Sequence, residues 1–287
     1  MKFILLASFI MLTCLLKAQD MPAYQIYNSE GKPVTFSEMA EKCAGADMVF
    51  FGEYHNDPIG HWLQYELTAF LFAKKGNALV LGAEMFESDN QLIMDEFLQG
   101  LIPPKKFGEE ARLWPNYDTD YKPLVDFSKE NKIPFIATNI PRRYASLVAK
   151  EGFEALEKLS PEAKALIAPL PVAYDENLNC YKSMLSMQGM GGHANANLPK
   201  AQAVKDATMA HFIMKNYAKG KLFLHYNGSY HSDNHEGIVW YLKQKDKNLK
   251  IIVISSASQK NVSALEDENK GKGDFILAVP ETMTKTH

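Results

Sequence analysis

The chain has 287 residues, of which 46% are hydrophobic and 23% charged, and its formal net charge is -3. This length and composition suit a sizeable core, and we expect a single α/β domain over residues 19–287. With only three arginines and no basic run longer than a pair, the chain lacks the electrostatic footprint of a nucleic-acid-binding protein.

The first 18 residues have the pattern of a secretory signal peptide. Lys2 supplies the positive start, residues 3–16 are an apolar run, and the small residue Ala18 marks the expected cleavage point. An exported protein, in the periplasm or associated with the envelope, is therefore expected. Lipid attachment at Cys14 is the less favoured alternative, because the two residues before it suit that processing poorly.

Short apolar runs alternate along the rest of the chain with longer segments of helical periodicity. Such runs are typical of strands covered on both faces, and the helices between them indicate a mostly parallel sheet, so the predicted fold class is α/β. The predicted strands are 48–51, 78–82, 133–137, 221–225, 250–254 and 275–278. The predicted helices are 58–74, 91–98, 124–131, 143–159, 161–168, 200–218 and 236–244.

The region 139–220 contains no predicted strand, which indicates a helical layer or lid over one end of the sheet. Within it, methionines recur at positions 184, 187 and 190, glycines stand at 189, 191 and 192, and His193 follows. Unbranched methionine side chains form an adaptable apolar surface that could receive a large flat apolar ligand. A helix end packed by methionine and stopped by glycine explains the same pattern.

The phrase G-x-Y-H-x-D occurs twice, as Gly52–Asp57 and as Gly228–Asp233. Each copy follows a predicted strand and leads toward a predicted helix, which its aspartate is placed to cap. His55 and His231 are therefore expected at the carboxyl ends of strands. Ligands of open parallel sheets bind in the crevice outside those ends.

Carboxylates are expected at the same edge of the sheet. Glu53 belongs to the first copy of the phrase, and Glu84 and Glu87 follow the second predicted strand. Two histidines with one or two carboxylates resemble a divalent-metal set. A hydrogen-bonded polar network that closes the sheet fits the same residues, and spacing alone leaves both interpretations open.

An ordered set of motifs extends from about residue 45 to about residue 245. It comprises F-G-E-Y-H-N-D, His61 with Gln64, Glu84–Glu87 with Gln91, Trp114, Tyr121–Leu124, Asn139–Arg142, Gln202 with Asp206 and Met209–Ala210, and Asn227–His231. No single motif is specific, but the ordered set resembles the ChaN-like family of the haem-binding uptake, Tiki superfamily.

The resemblance implies a parallel α/β fold, an envelope location and a role in haem and iron uptake. In ChaN-like proteins haem is held through a tyrosine, an established axial ligand of haem iron, and two haems can stack between two subunits. This implies haem as the ligand, a haem-bridged homodimer and an outer-membrane haem-uptake system as a partner. The region assigned to haem on this basis comprises Tyr174, Tyr181, Met187 and His193.

Relatives in the wider superfamily carry paired G-x-x-H motifs in a metal-dependent hydrolytic site, which implies an alternative. The matching positions would make His55, Glu84 and His231 the ligands of a divalent metal ion. Glu53 would complete the catalytic set as a general base that acts on a bound water. Haem binding is the preferred interpretation, and whether the chain is an enzyme stays open.

Overall fold

A computed structural model of the chain describes residues 21–188 and 196–287, with the side chains of all but residues 185–188. The predicted signal peptide, Cys14, His193 and the side chain of Met187 lie outside this description. The strands are β1 (Gln25–Asn28), β2 (Pro33–Val34), β3 (Met48–Glu53), β4 (Leu79–Glu87), β5 (Phe135–Asn139), β6 (Leu222–Gly228), β7 (Ile251–Gln259) and β8 (Phe275–Pro280).

These strands form one sheet in the order β2-β1-β8-β7-β3-β6-β4-β5. The six strands from β8 to β5 run parallel, and the hairpin of β1 and β2 adds an antiparallel edge. The predicted α/β class with a mostly parallel sheet is confirmed. Because β3, β6 and β4 are neighbours, their carboxyl ends lie side by side.

Helices cover both faces of this sheet, which explains why its central strands β3, β4 and β6 are buried along their whole length. The helices are α1 (Phe36–Ala44), α2 (Pro58–Lys75), α3 (Gln91–Leu98), α4 (Pro104–Glu110), α5 (Lys122–Asn131), α6 (Arg142–Glu151), α7 (Pro161–Lys164), α8 (Asn179–Gln188), α9 (Leu198–Asn216) and α10 (Ile238–Lys245). Alternate residues of β3 serve opposite layers: Val49 and Phe51 pack in the core under α2, and Met48 and Phe50 in the core under α9 and α10.

The stretch between β5 and β6 contains no strand in its described residues and consists of α6 to α9, so the predicted helical layer is present. The helix predicted over 143–159 is interrupted, however. Gly152 adopts a φ of 82°, which ends α6, and a short 3-10 segment over Phe153–Lys158 follows. In the described part of the chain, no helix is both long enough and apolar enough to cross a bilayer.

The two aspartates of the repeated phrase behave differently. Asp57 caps α2, because its side chain accepts a 3.0 Å hydrogen bond from the backbone N–H of Ile59. The cap predicted at Asp233 is wrong: α10 begins only at Ile238, after Gly237 with a φ of 53°. The carboxylate of Asp233 instead accepts a 2.6 Å hydrogen bond from Ser255 of β7.

β4 and β6 pack closely at Gly82, so a larger residue at this position should destabilise the protein. A Cβ at Gly82 would lie 2.8 Å from two ring carbons of Phe223. Because both residues are fully buried, we expect Gly82→Ala to lower the free energy of unfolding by about 1–3 kcal/mol, the usual cost of overpacking. Equilibrium denaturation measures this change.

Gly108→Ala is the matched control, because a Cβ at position 108 of α4 meets nothing within 4 Å. It should leave the free energy of unfolding unchanged or raise it by up to about 1 kcal/mol. Phe223→Leu in the Gly82→Ala background should recover part of the loss, which a double-mutant cycle detects as non-additivity. Equal destabilisation by the two glycine substitutions would contradict the packing argument.

Candidate functional site

A cleft of about 1120 Å³ lies at the carboxyl ends of β3, β4 and β6. Glu53, His55, Glu84 and His231 all line it, so the structure brings together the four residues of the predicted catalytic set. Strand order accounts for this: β3 ends at Glu53 and leads to His55, β4 carries Glu84, and β6 leads to His231.

His231 lies between two buried carboxylates. Its Nδ1 is 2.5 Å from Oδ1 of Asp206, and its Nε2 is 3.1 Å from Oε1 of Glu84. None of the three side chains is more than 6% exposed. Because each ring nitrogen faces a carboxylate oxygen, both nitrogens donate and the ring is held as an imidazolium.

Electrostatics support this protonation state. Burial by itself would lower the pKa of His231, but the charges of Glu84 and Asp206 outweigh burial and raise it to about 10. Burial would likewise raise the pKa of Glu84, but the charge and hydrogen bond of His231 hold it well below its usual range. The ion pair of His231 with Glu84 therefore persists across the physiological pH range.

His55 is the accessible histidine of the pair. Its side chain is 37% exposed, and its Nδ1 is 2.9 Å from Oε1 of Glu53. Burial works to lower the pKa of His55, but the hydrogen bond to Glu53 and the charge of Glu84 outweigh it and raise the pKa above its ordinary value. The ring of Trp114 lies edge-on to the imidazole, 4.8 Å between centroids.

Glu53 is almost completely buried and is surrounded by donors. Its Oε1 also accepts a 2.7 Å hydrogen bond from the hydroxyl of Tyr121, and its Oε2 accepts one from the amide of Gln64. With both oxygens occupied, the carboxylate is fixed in place. It therefore fixes the ring of His55 in turn.

Gly228 allows the two halves of the site to approach each other. Its N–H donates a 2.8 Å hydrogen bond to Oε2 of Glu84. A Cβ at this position would lie 2.8 Å from Nε2 of His55. Any side chain here would displace His55, which gives the glycine of the second phrase a steric role.

A third histidine, His225, supports the floor of the cleft from within β6. It is fully buried, with Nδ1 3.0 Å from the side-chain Oδ1 of Asn227 and Nε2 2.8 Å from the hydroxyl of Thr138. Burial lowers its pKa to about 4, so the ring is neutral. Because the side-chain amide of Asn227 donates elsewhere, its oxygen accepts from the Nδ1 proton of His225.

The structure gives no support to a divalent-metal set made of His55, Glu84 and His231. Within residues 21–188 and 196–287, no group of three or more His, Cys, Asp or Glu side chains is arranged to hold a metal ion. The geometry explains this, because both nitrogens of His231 and Nδ1 of His55 face carboxylates. The hydrogen-bonded network is the arrangement observed.

The two tyrosines assigned to haem from the sequence lie beside this network. Tyr181 is fully buried and donates a 2.8 Å hydrogen bond to Oδ2 of Asp206. Burial and the charge of Asp206 hold the pKa of Tyr181 well above its usual range. Tyr174 packs on Tyr181, with ring centroids 5.5 Å apart, and neither residue lines the cleft.

Several lining residues were not singled out from the sequence. Tyr54 and Tyr230 precede the two histidines of the repeated phrase, and both line the cleft. The signal for them was present, because the tyrosine is part of the repeat. Lys205 also lines the cleft and comes from the middle of α9, where no spacing relates it to the strand ends.

Residues 39–242 match the family described as haem-binding uptake, Tiki superfamily, ChaN. A search of curated proteins finds no match.

Among solved structures, ChaN of Campylobacter jejuni, for which cofacial haem binding is described, aligns with a TM-score of 0.66 at 17% identity, over 88% of this chain and 96% of that one. A Bacillus cereus protein aligns with a TM-score of 0.51 at 11% identity, covering 86% of this chain and 92% of its own. A mutant of the erythromycin esterase EreC also reaches 0.51, at 10% identity over 92% and 98% of the two chains. These likenesses show a shared fold.

Because His231 and His225 lie in opposite electrostatic environments, their rings should titrate at widely separated pH values. Nitrogen NMR of the rings should show His231 losing a proton near pH 10 and His225 gaining its second near pH 4. The folded pKa of His231 lies above its ordinary 6.5, so the stability due to its protonation is complete below pH 6.5 and is lost as pH rises toward 10. A His231 signal that titrates near 6.5 would contradict the ion pair.

Two variants separate the contributions of charge and hydrogen bonding to this shift. Asp206→Asn removes a carboxylate next to His231 and should lower the pKa of the ring clearly. Tyr181→Phe removes only a donor to Asp206 and should leave the pKa of His231 raised. The opposite order of the two effects would show that the Asp206 charge is not the cause.

Proposed function

The chain belongs to the haem-binding uptake, Tiki superfamily, ChaN family, and from that premise we propose that it binds haem in the cleft at the carboxyl ends of β3, β4 and β6. The observation that carries the proposal is that both tyrosines of the repeated phrase, Tyr54 and Tyr230, line this cleft. Tyrosine is an established axial ligand of haem iron, so the cleft holds a suitable donor.

The size and lining of the cleft suit a porphyrin. Its volume of about 1120 Å³ exceeds the roughly 300–1,000 Å³ of most small-molecule pockets. Trp114, Ile140 and Met184 contribute apolar surface. A flat apolar ring needs such walls, with polar groups confined to a few positions.

Tyr230 is the tyrosine best placed to bind the iron. A tyrosinate ligand must lose its proton, and burial together with the neighbouring carboxylates of Asp233 and Asp57 raises the pKa of Tyr54. Tyr230 is half-buried and its hydroxyl contacts the hydroxyl of Ser183 on α8. That contact places its oxygen where the cleft meets the helical layer.

The role of Tyr174 or Tyr181 in binding haem remains a prediction from the sequence. For Tyr181 to bind iron, its hydroxyl would have to leave Asp206, and α8 would have to move to expose it. Burial also raises the pKa of Tyr174. The catalytic roles predicted for Glu53, His55, Glu84 and His231 also remain predictions from the sequence. No observation favours them over a structural role in the floor of the cleft.

Location and assembly form part of the same proposal. A leader over residues 1–18 would export the chain to the periplasm or envelope, where haem from an outer-membrane uptake system would be met. A haem-bridged homodimer would follow if two clefts faced each other. Sedimentation analysis with and without haemin tests the dimer directly.

The ligand assignment predicts the outcome of a haemin titration. Wild-type protein should give a saturable Soret band with the charge-transfer features of tyrosinate-ligated ferric haem. Tyr230→Phe should abolish those features and weaken binding by roughly 10- to 100-fold, the range that loss of a metal-site partner costs. Absorption spectroscopy of the purified mature chain measures both.

Tyr54→Phe is the matched control from the first copy of the phrase and should retain the tyrosinate spectrum. Tyr174→Phe and Tyr181→Phe should retain it as well. Loss of the spectrum in one of these three variants, with Tyr230→Phe unaffected, would move the ligand to that residue. Wild-type protein that binds no haemin saturably would refute the proposed function itself.

A further inference from the structure

All three arginines of the chain gather at one place on the rim of the cleft. Two of them, Arg112 and Arg142, bind Glu87 through nitrogen–oxygen distances of 3.0 and 2.6 Å. Arg143 and Arg112 both bind Asp89. Three guanidinium groups facing two carboxylates leave this cluster with one excess positive charge at neutral pH.

Arg142 is the member of the cluster that lines the cleft. Only its Nε is bonded to Glu87, and in the described residues no hydrogen bond takes its two terminal nitrogens. Its side chain is 65% exposed. The planar end of the guanidinium, which can bind a carboxylate through two parallel hydrogen bonds, is therefore available to a ligand.

Lys205 adds a second cation to the lining. It lies on α9, one residue before the buried Asp206, and its side chain is half-buried. No ion pair within the described residues occupies its ammonium group. Lysine side chains bury their aliphatic stems and keep the ammonium group accessible, so the ammonium group of Lys205 can meet an anionic ligand in the cleft.

The floor of the cleft is acidic, in contrast to the cationic rim. Three buried carboxyl groups, those of Glu53, Glu84 and Asp206, face the two imidazole rings of His55 and His231. The cleft therefore runs from an acidic interior to a cationic rim. A ligand with a positively charged centre and a negatively charged edge matches that order.

We propose that Arg142 and Lys205 bind the carboxylate edge of the ligand, which for haem is its pair of propionates. The inference rests on the proposed function and adds the orientation of the ligand: propionates at the rim, and the iron toward the histidine-lined interior. It also gives a specificity, because porphyrins without free carboxylates lose both contacts.

Titrations with haemin and with haemin dimethyl ester test this orientation. Wild-type protein should bind haemin more tightly than the ester. Arg142→Gln and Lys205→Gln should each raise the Kd for haemin about fivefold, the effect of losing one exposed charge pair. Neither variant should change the Kd for the ester, and the difference between the two porphyrins should shrink at high salt.

Matched controls exist for both substitutions. Arg143→Gln alters the neighbouring arginine of the same cluster, which pairs with Asp89 and does not line the cleft. Lys215→Gln alters an exposed lysine near the end of α9. Both should leave haemin binding unchanged. Because Arg112 also holds Glu87, Arg142→Gln should fold normally, which thermal unfolding checks.

Metal-free protoporphyrin separates carboxylate binding from iron ligation. Quenching of its fluorescence should report weaker binding in Arg142→Gln and Lys205→Gln, and no change in Tyr230→Phe. Equal affinity of wild-type protein for haemin and its ester, or an equal loss in Arg143→Gln, would overturn the inference and leave haem binding intact. If neither porphyrin binds saturably, the proposed function fails and the inference fails with it.

Discussion

The buried contact of His231 with Glu84 and Asp206 is the interaction on which the rest of the site depends. Each partner comes from a different element: β4, the turn after β6, and α9 of the helical layer. An unpaired charge at such depth would be strongly destabilising, so these elements must keep their positions together. Tyr181 extends the same network to α8 through its bond to Asp206. The helical layer is therefore joined to the sheet by electrostatics as well as by apolar packing.

This constraint explains why the chain carries the same phrase twice yet uses its copies differently. The second copy delivers His231 into the joint between sheet and layer, where it is almost inaccessible. The first copy delivers His55 to the open side, beside Trp114 and within reach of a ligand. Gly228, at the start of the second copy, leaves the space that His55 occupies. The position of His55 in the first copy therefore depends on the glycine of the second.

The sequence predicted the parallel sheet, the helical layer and the meeting of both histidines, because apolar periodicity is local and strand ends of a parallel sheet share one edge. It did not predict Asp206 as the partner of His231, because a residue inside a long helix carries no spacing signal toward a distant strand end. The cap at Asp233 failed for a local reason: Asn234 and His235 take positive φ values of 59° and 57°, which delay the helix. The sequence did not predict the cluster of three arginines either, since the cluster depends on tertiary contacts.

The proton arrangement also bears on whether this site does chemistry. A general base needs a nitrogen without a proton, and His231 has none, because both of its nitrogens face carboxylates. His225 is neutral, but its ring is bonded to Asn227 and Thr138 in the core. Only Nε2 of His55 is left among these imidazole nitrogens, and Glu53, which accepts from Tyr121 and Gln64, orients the His55 ring. Such a floor fixes its buried charges in place and leaves one partly exposed imidazole nitrogen, Nε2 of His55, to meet a ligand in the cleft.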